Sequence, residues 1–184
     1  MMRIKSFQNL SIIICIFVLL NSCVIQGITN DYGKLDKNQK SKITLLKNFH
    51  QVKEGMIYLV NAPQLKEEIN NYPRAIVYIF TNGCTSTYCK PLSVYENYAD
   101  KNGFKLFLVM SGFSDLDKTM DQEIKSTLFA IDSKYYKCNL GVKYYRYFTN
   151  ELQGRPIKYK NSEYIGSIYF FKNGNFDKIL RELP

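Results

Sequence analysis

The chain has 184 residues, a formal net charge of +9, 46% hydrophobic and 22% charged residues, and 15 Tyr and 12 Phe with no Trp. These proportions exclude a disordered chain and fit one domain with a substantial core, a second domain being cramped at this length. Lys and Arg are scattered, not blocked, which leaves a nucleic-acid partner no footprint and fits a solvated surface near anionic lipid.

Arg3 and Lys5 precede an uncharged apolar run, Ile12 to Leu20, that meets Asn21-Ser22-Cys23. A membrane-spanning helix needs about 20 apolar residues, so the run reads instead as the h-region of a secretory signal. Leu20-Asn21-Ser22-Cys23 resembles the lipobox of bacterial lipoproteins. The resemblance implies a signal peptide over 1–22, acylation of Cys23, the lipid bilayer as a partner, and a domain held in the bacterial cell envelope outside the cytoplasm.

Residues 23–42 are polar and rich in Gly, Asn and Lys, and are expected to form a flexible tether ahead of a domain spanning 43–184. The apolar-periodic segment Ile43 to Val52 reads as a short helix on that domain. From Met56 onward strand-like and helix-like blocks alternate. "MIYLV", "RAIVYIF", "FKLFLVM" and "TLFAI" read as strands by their β-branched and aromatic content. Between them, "APQLKEEINNY" carries Pro63 near a helix start, and "KPLSVYENYADKNG" spaces Leu92, Tyr95 and Tyr98 on one face before Gly103. A polar helical stretch from Ser114 to Lys125 and an aromatic helix, "VKYYRYFTNEL", follow. Asn173-Gly174 between two apolar runs predicts a closing β-hairpin.

This order predicts an α/β fold with a mixed central sheet flanked by helices. It resembles the thioredoxin fold over about Met56 to Leu183, with "FFKNG" similar to the last turn of that family and the cysteines of "FTNGCTSTYCKP" at the strand-to-helix junction where the family keeps its active site.

Of five cysteines, Cys15 falls in the signal and Cys23 at the lipobox, leaving Cys84, Cys89 and Cys138 as thiols. If Cys84 stands at a helix N-terminus, unpaired N–H groups and the macrodipole favour its thiolate. Gly83 allows a sharp turn there, and Thr81, Thr85, Ser86 and Thr87 offer hydroxyls. Residues five apart in an intact helix lie roughly 8 to 9 Å apart, outside disulfide range, so a bond needs either an unwound first turn or a non-helical 84–89.

"FTNGCTSTYC" resembles the peroxidatic segment of Q-type peroxiredoxins, matching it at Thr81, Gly83, Cys84, Thr85 and Cys89. That resemblance implies Cys84 as peroxidatic thiol, Thr81 as its hydroxyl partner and Cys89 as resolving thiol. The chain differs from the family at Val77, where a proline is expected, and at Gly166. An arginine is expected at Gly166, and in thioredoxins a cis-proline. Arg146 and Arg155 are the mid-chain arginines left to replace that cation.

Three functions follow for Cys84, Cys89 and Thr81. The first is a membrane-anchored thiol–disulfide oxidoreductase with an unknown protein redox partner. The second is a thiol peroxidase, and the third a binding module stapled by a structural disulfide. A copper site would take its histidine downstream of the cysteines, whereas His50, the single histidine, lies upstream. No cofactor, metal or nucleic acid is expected.

Overall fold

The structure is a computed structural model that describes residues 28–86, 89–160 and 165–184. The signal run, Cys23 and Thr87 lie outside the described residues. The β-branched and aromatic runs form seven strands: β1 (Ile43–Leu45), β2 (Ile57–Val60), β3 (Arg74–Phe80), β4 (Lys105–Met110), β5 (Leu128–Ile131), β6 (Ile168–Lys172) and β7 (Asn175–Leu180). They pair in the spatial order β1-β2-β5-β4-β3-β6-β7. The first five are parallel to one another, β6 is antiparallel to β3, and β7 to β6.

Every residue of β3 from Ala75 to Phe80 is buried, which is why this strand reads as an unbroken apolar run and not an alternating one. Helices cover both faces. On one side, α2 (Ala62–Ile69) and α5 (Gly141–Leu152) bring Leu65, Ile69, Phe148 and Leu152 onto Val77, Phe107 and Phe129 (here α1 is the short helix Lys37–Ser41). On the other, α3 (Leu92–Asn102) and α4 (Leu116–Met120) bring Leu92, Tyr95 and Leu116 onto Ile76, Leu108 and Ile168. Each such side chain, fully buried, contributes about 1.5–3 kcal/mol of apolar transfer free energy.

Local chemistry sets the ends. α2 begins in a capping box, in which Asn61 Oδ1 accepts the Gln64 N–H at 2.9 Å and Gln64 Oε1 accepts the Asn61 N–H at 3.2 Å. The β6–β7 hairpin turns through Asn173 and Gly174, at φ 49° and 76°, the left-handed pair that a two-residue turn of this twist requires. The mixed sheet, its flanking helices and the closing hairpin are therefore as expected.

Two expectations about the N-terminal part are corrected. Thr29 to Lys42 is not a free tether: Thr29 bridges Leu140, Leu35 is buried, and α1 is held by a capping box between Asp36 and Gln39. The folded unit thus reaches upstream of residue 43. Ile43 to Val52 is not a helix either. Its β-branched start adds β1 to the edge of the sheet beside β2, and only Phe49–Gln51 makes a helical turn, of the 3-10 kind. Among the described residues no helix is long and apolar enough to cross a membrane.

Candidate redox site

β3 delivers the chain to the carboxyl end of the sheet, where the described residues 81–86 and 89–91 lie outside helix and strand ahead of α3. Cys84 and Cys89 are joined there by a disulfide with Cα atoms 6.0 Å apart. Cys84 is exposed and Cys89 half-buried. The Cys89 N–H donates to Ser86 O at 2.9 Å, turning the chain back so that the two sulfurs meet. The described residues of the bridged stretch, 84–86 and 89, are non-helical.

The expected helix N-terminus at Cys84 is corrected: α3 starts at Leu92, with Pro91 as its N-cap. Proline inside a helix removes a hydrogen bond and clashes with the preceding turn, so a helix begun at Cys84 would be broken at Pro91. Macrodipole stabilisation falls off within the first turn and does not reach Cys84. The bond also needs no unwinding of α3.

Side chains from neighbouring elements hold both ends of the loop. At its start, buried Asn82 donates from Nδ2 to Gly112 O at 2.9 Å and accepts the Thr119 hydroxyl at Oδ1 at 2.8 Å. At its end, the Leu92 N–H donates to Gln122 Oε1 at 3.0 Å. Gln122 thereby caps α3 from a different element, since Pro91 has no side-chain acceptor. Asn82, Thr119 and Gln122 were not evident as site residues in the sequence. The sequence signals that could have found the loop's boundaries are Asn82-Gly83 and Pro91.

Thr81 is exposed, and its hydroxyl lies 3.1 Å from that of Ser111 at the end of β4. Both border a cleft of about 280 Å³ that Gly112, Val142 and Tyr144 also line. Tyr144 donates its hydroxyl to Ser111 O at 2.5 Å. Burial first, then the charges of Asp31 and Cys138, push the Tyr144 phenol up to about 12. The Asp31 carboxylate is itself buried among the hydroxyls of Thr29 and Ser114 and the Lys34 ammonium, the last at 2.8 Å.

The remaining candidates stand on other elements of the fold. Cys138 is a half-buried free thiol beside the α2–α5 core. Arg146 and Arg155 lie against the rings of Tyr147 and Tyr159. Gly166 stands before β6, where a Cβ would sit 2.3 Å from Leu180 O, so only glycine admits this approach. The described residues contain no cis peptide bond. His50 lines a different cleft with Lys105 and Thr127, at the amino ends of β4 and β5. No group of three or more His, Cys, Asp or Glu among the described residues is placed to hold a metal ion.

No protein-family model, curated protein or solved structure matches the chain.

Proposed function

We propose that the protein is a lipid-anchored thiol–disulfide oxidoreductase of the bacterial envelope, with a thioredoxin-like fold, working through Cys84 and Cys89. The observation that carries this reading is the solvent-reachable disulfide in a loop fixed at both ends, directly after β3. The fold assignment is supported by β3 lying between parallel β4 and the antiparallel β6–β7 hairpin, with the cysteines at its carboxyl end. The bilayer anchor is inferred from the lipobox at Cys23.

A substrate thiolate attacks Sγ of Cys84, the more exposed residue of the pair; the Sγ–Sγ bond breaks and Cys89 leaves as a thiolate that takes up a proton. The substrate's second thiolate then attacks its own sulfur in the mixed disulfide and expels the Cys84 thiolate. Two electrons pass from substrate to protein, and a substrate disulfide is released. The reverse sequence reduces a partner. Thr81, bonded to Ser111 on the cleft wall, borders the approach to this loop.

A peroxidase would need a cation to lower the Cys84 pKa and orient the peroxide. Arg146 and Arg155 rest against tyrosine rings and Gly166 replaces the expected arginine, so exchange between thiols is the preferred chemistry. Intact-mass analysis after alkylation across a series of glutathione buffers tests it. A Cys84–Cys89 bond that opens and closes within the buffer range supports exchange, and one that stays oxidised in strongly reducing buffer makes it a structural staple. Mass analysis of the Cys23 peptide tests the anchor.

A further inference from the structure

The stretch leading into α5 meets the first described residue at the chain surface. Gly141 donates its N–H to Ile28 O at 2.8 Å, and Thr29 pairs with Leu140 in an antiparallel bridge. These contacts gather Ile28, Leu140 and Val142 at the start of α5, where they are 49%, 40% and 75% exposed. Single exposed apolar residues are ordinary on a protein surface, but a contiguous group of large ones marks a contact face.

The stretch that carries this group is basic in sequence, and two carboxylates beside it are engaged locally, Asp31 with the Thr29 and Ser114 hydroxyls and Lys34, and Asp132 with the Lys134 and Tyr135 N–H groups. From Ser133 to Asn150 the sequence holds Lys134, Lys137, Lys143 and Arg146 and no Asp or Glu. The three lysines are exposed. Aliphatic side chains with ammonium groups beside them complement an anionic bilayer, the apolar groups entering the acyl boundary while the lysines stay among the headgroups.

Chain length points to the same occupant. Ile28 follows Cys23 by five residues, which in any conformation reach at most about 18 Å. An acyl group on Cys23 therefore holds this patch beside the bilayer surface. The disulfide belongs to the same end of the molecule, because Val142 and Thr81 line one cleft and Thr81 leads into the Cys84 loop.

We infer that Ile28, Leu140 and Val142, with Lys134, Lys137 and Lys143, form a bilayer-contacting face that turns the Cys84–Cys89 end of the sheet toward the membrane. This rests on the lipid anchoring proposed above. The redox partner is then met at the membrane surface, not in free solution.

The absence of Trp from the sequence makes a single reporter possible. The full chain would be prepared as Val142→Trp, and separately as Lys101→Trp in the exposed last turn of α3, at the opposite end of the sheet. Each would be reconstituted in vesicles of phosphatidylethanolamine and phosphatidylglycerol containing lipid brominated near the headgroup end of its acyl chains. At least about twofold stronger quenching at 142 than at 101 is expected from a side chain seated at the acyl boundary. Vesicle-bound protein with equal quenching at the two positions, or more at 101, overturns the face while leaving the anchor intact. Failure of the protein to float with vesicles overturns both.

Discussion

Gln122 and Leu92, 30 residues apart, are joined by the hydrogen bond that starts α3, from the Leu92 N–H to Gln122 Oε1 at 3.0 Å. Leu92 is buried, so water is poorly placed to replace that acceptor. Gln122→Ala is expected to lower stability by about 1–2 kcal/mol, the range for loss of a helix cap or a buried hydrogen bond. Urea unfolding should show a lower midpoint at an unchanged slope. An unchanged midpoint would mean that α3 does not depend on this cap.

Reduction of Cys84–Cys89 should leave helix content unchanged. The bonded loop lies outside α3, and lengthening the helix backward through Pro91 would lose a hydrogen bond and create a clash costing about 3 kcal/mol or more. Far-ultraviolet circular dichroism of the oxidised and reduced protein should superimpose at 222 nm. A gain equivalent to a helical turn on reduction would show that the loop is a coiled form of a redox-linked helix.

The architecture was largely legible because its strands are buried β-branched runs and its hairpin carries Asn-Gly, signals that act over a few residues. The N-terminal stretch was not. What orders it are long-range bonds, such as Asn30 Nδ2 to Ser133 Oγ at 2.8 Å and the Phe113 N–H to Asn30 O at 2.9 Å, and no local composition encodes these. Ile43 to Val52 was ambiguous for another reason, since an apolar segment so short satisfies helical and strand periods alike. At the site, the cysteine pair was visible, and the spacing left its loop either an unwound first turn or a non-helical segment; the expectation that failed is the helix N-terminus at Cys84, since α3 starts only at Leu92, after Pro91. Asn82 and Gln122 were not readable as site residues because their partners lie roughly 30 residues away in sequence.

The unequal exposure of the two sulfur-bearing residues predicts unequal reactivity. In a Cys138→Ser background, which removes the third thiol, Cys89→Ser leaves the exposed Cys84 and Cys84→Ser leaves the half-buried Cys89. Cys84 should be alkylated several-fold faster, and since neither variant keeps a second thiol to resolve a mixed disulfide, Cys89→Ser should accumulate one with glutathione faster because its remaining thiol is the exposed one. Equal rates for both variants would remove the assignment of Cys84 as the attacked sulfur.

Tyr144 links the cleft to alkaline stability. Its phenol is held at about 12 in the folded protein, first by burial and then by the charges of Asp31 and Cys138, against an ordinary value near 10. A group with a raised folded-state pKa favours the native state fully below its unfolded value, and that contribution is lost as pH climbs through the folded value. The window here runs from about pH 10 to about 12. Tyr144→Phe also removes the hydrogen bond to Ser111 O, so near pH 8 it should be less stable than wild type by about 1 kcal/mol. As pH rises across the window the wild type loses the Tyr144 contribution and the variant has none to lose, so the two urea midpoints should converge. Lysine deprotonation is common to both proteins and cancels in the difference. A gap that stays constant from pH 8 to 12 would show that Tyr144 titrates no differently folded than unfolded.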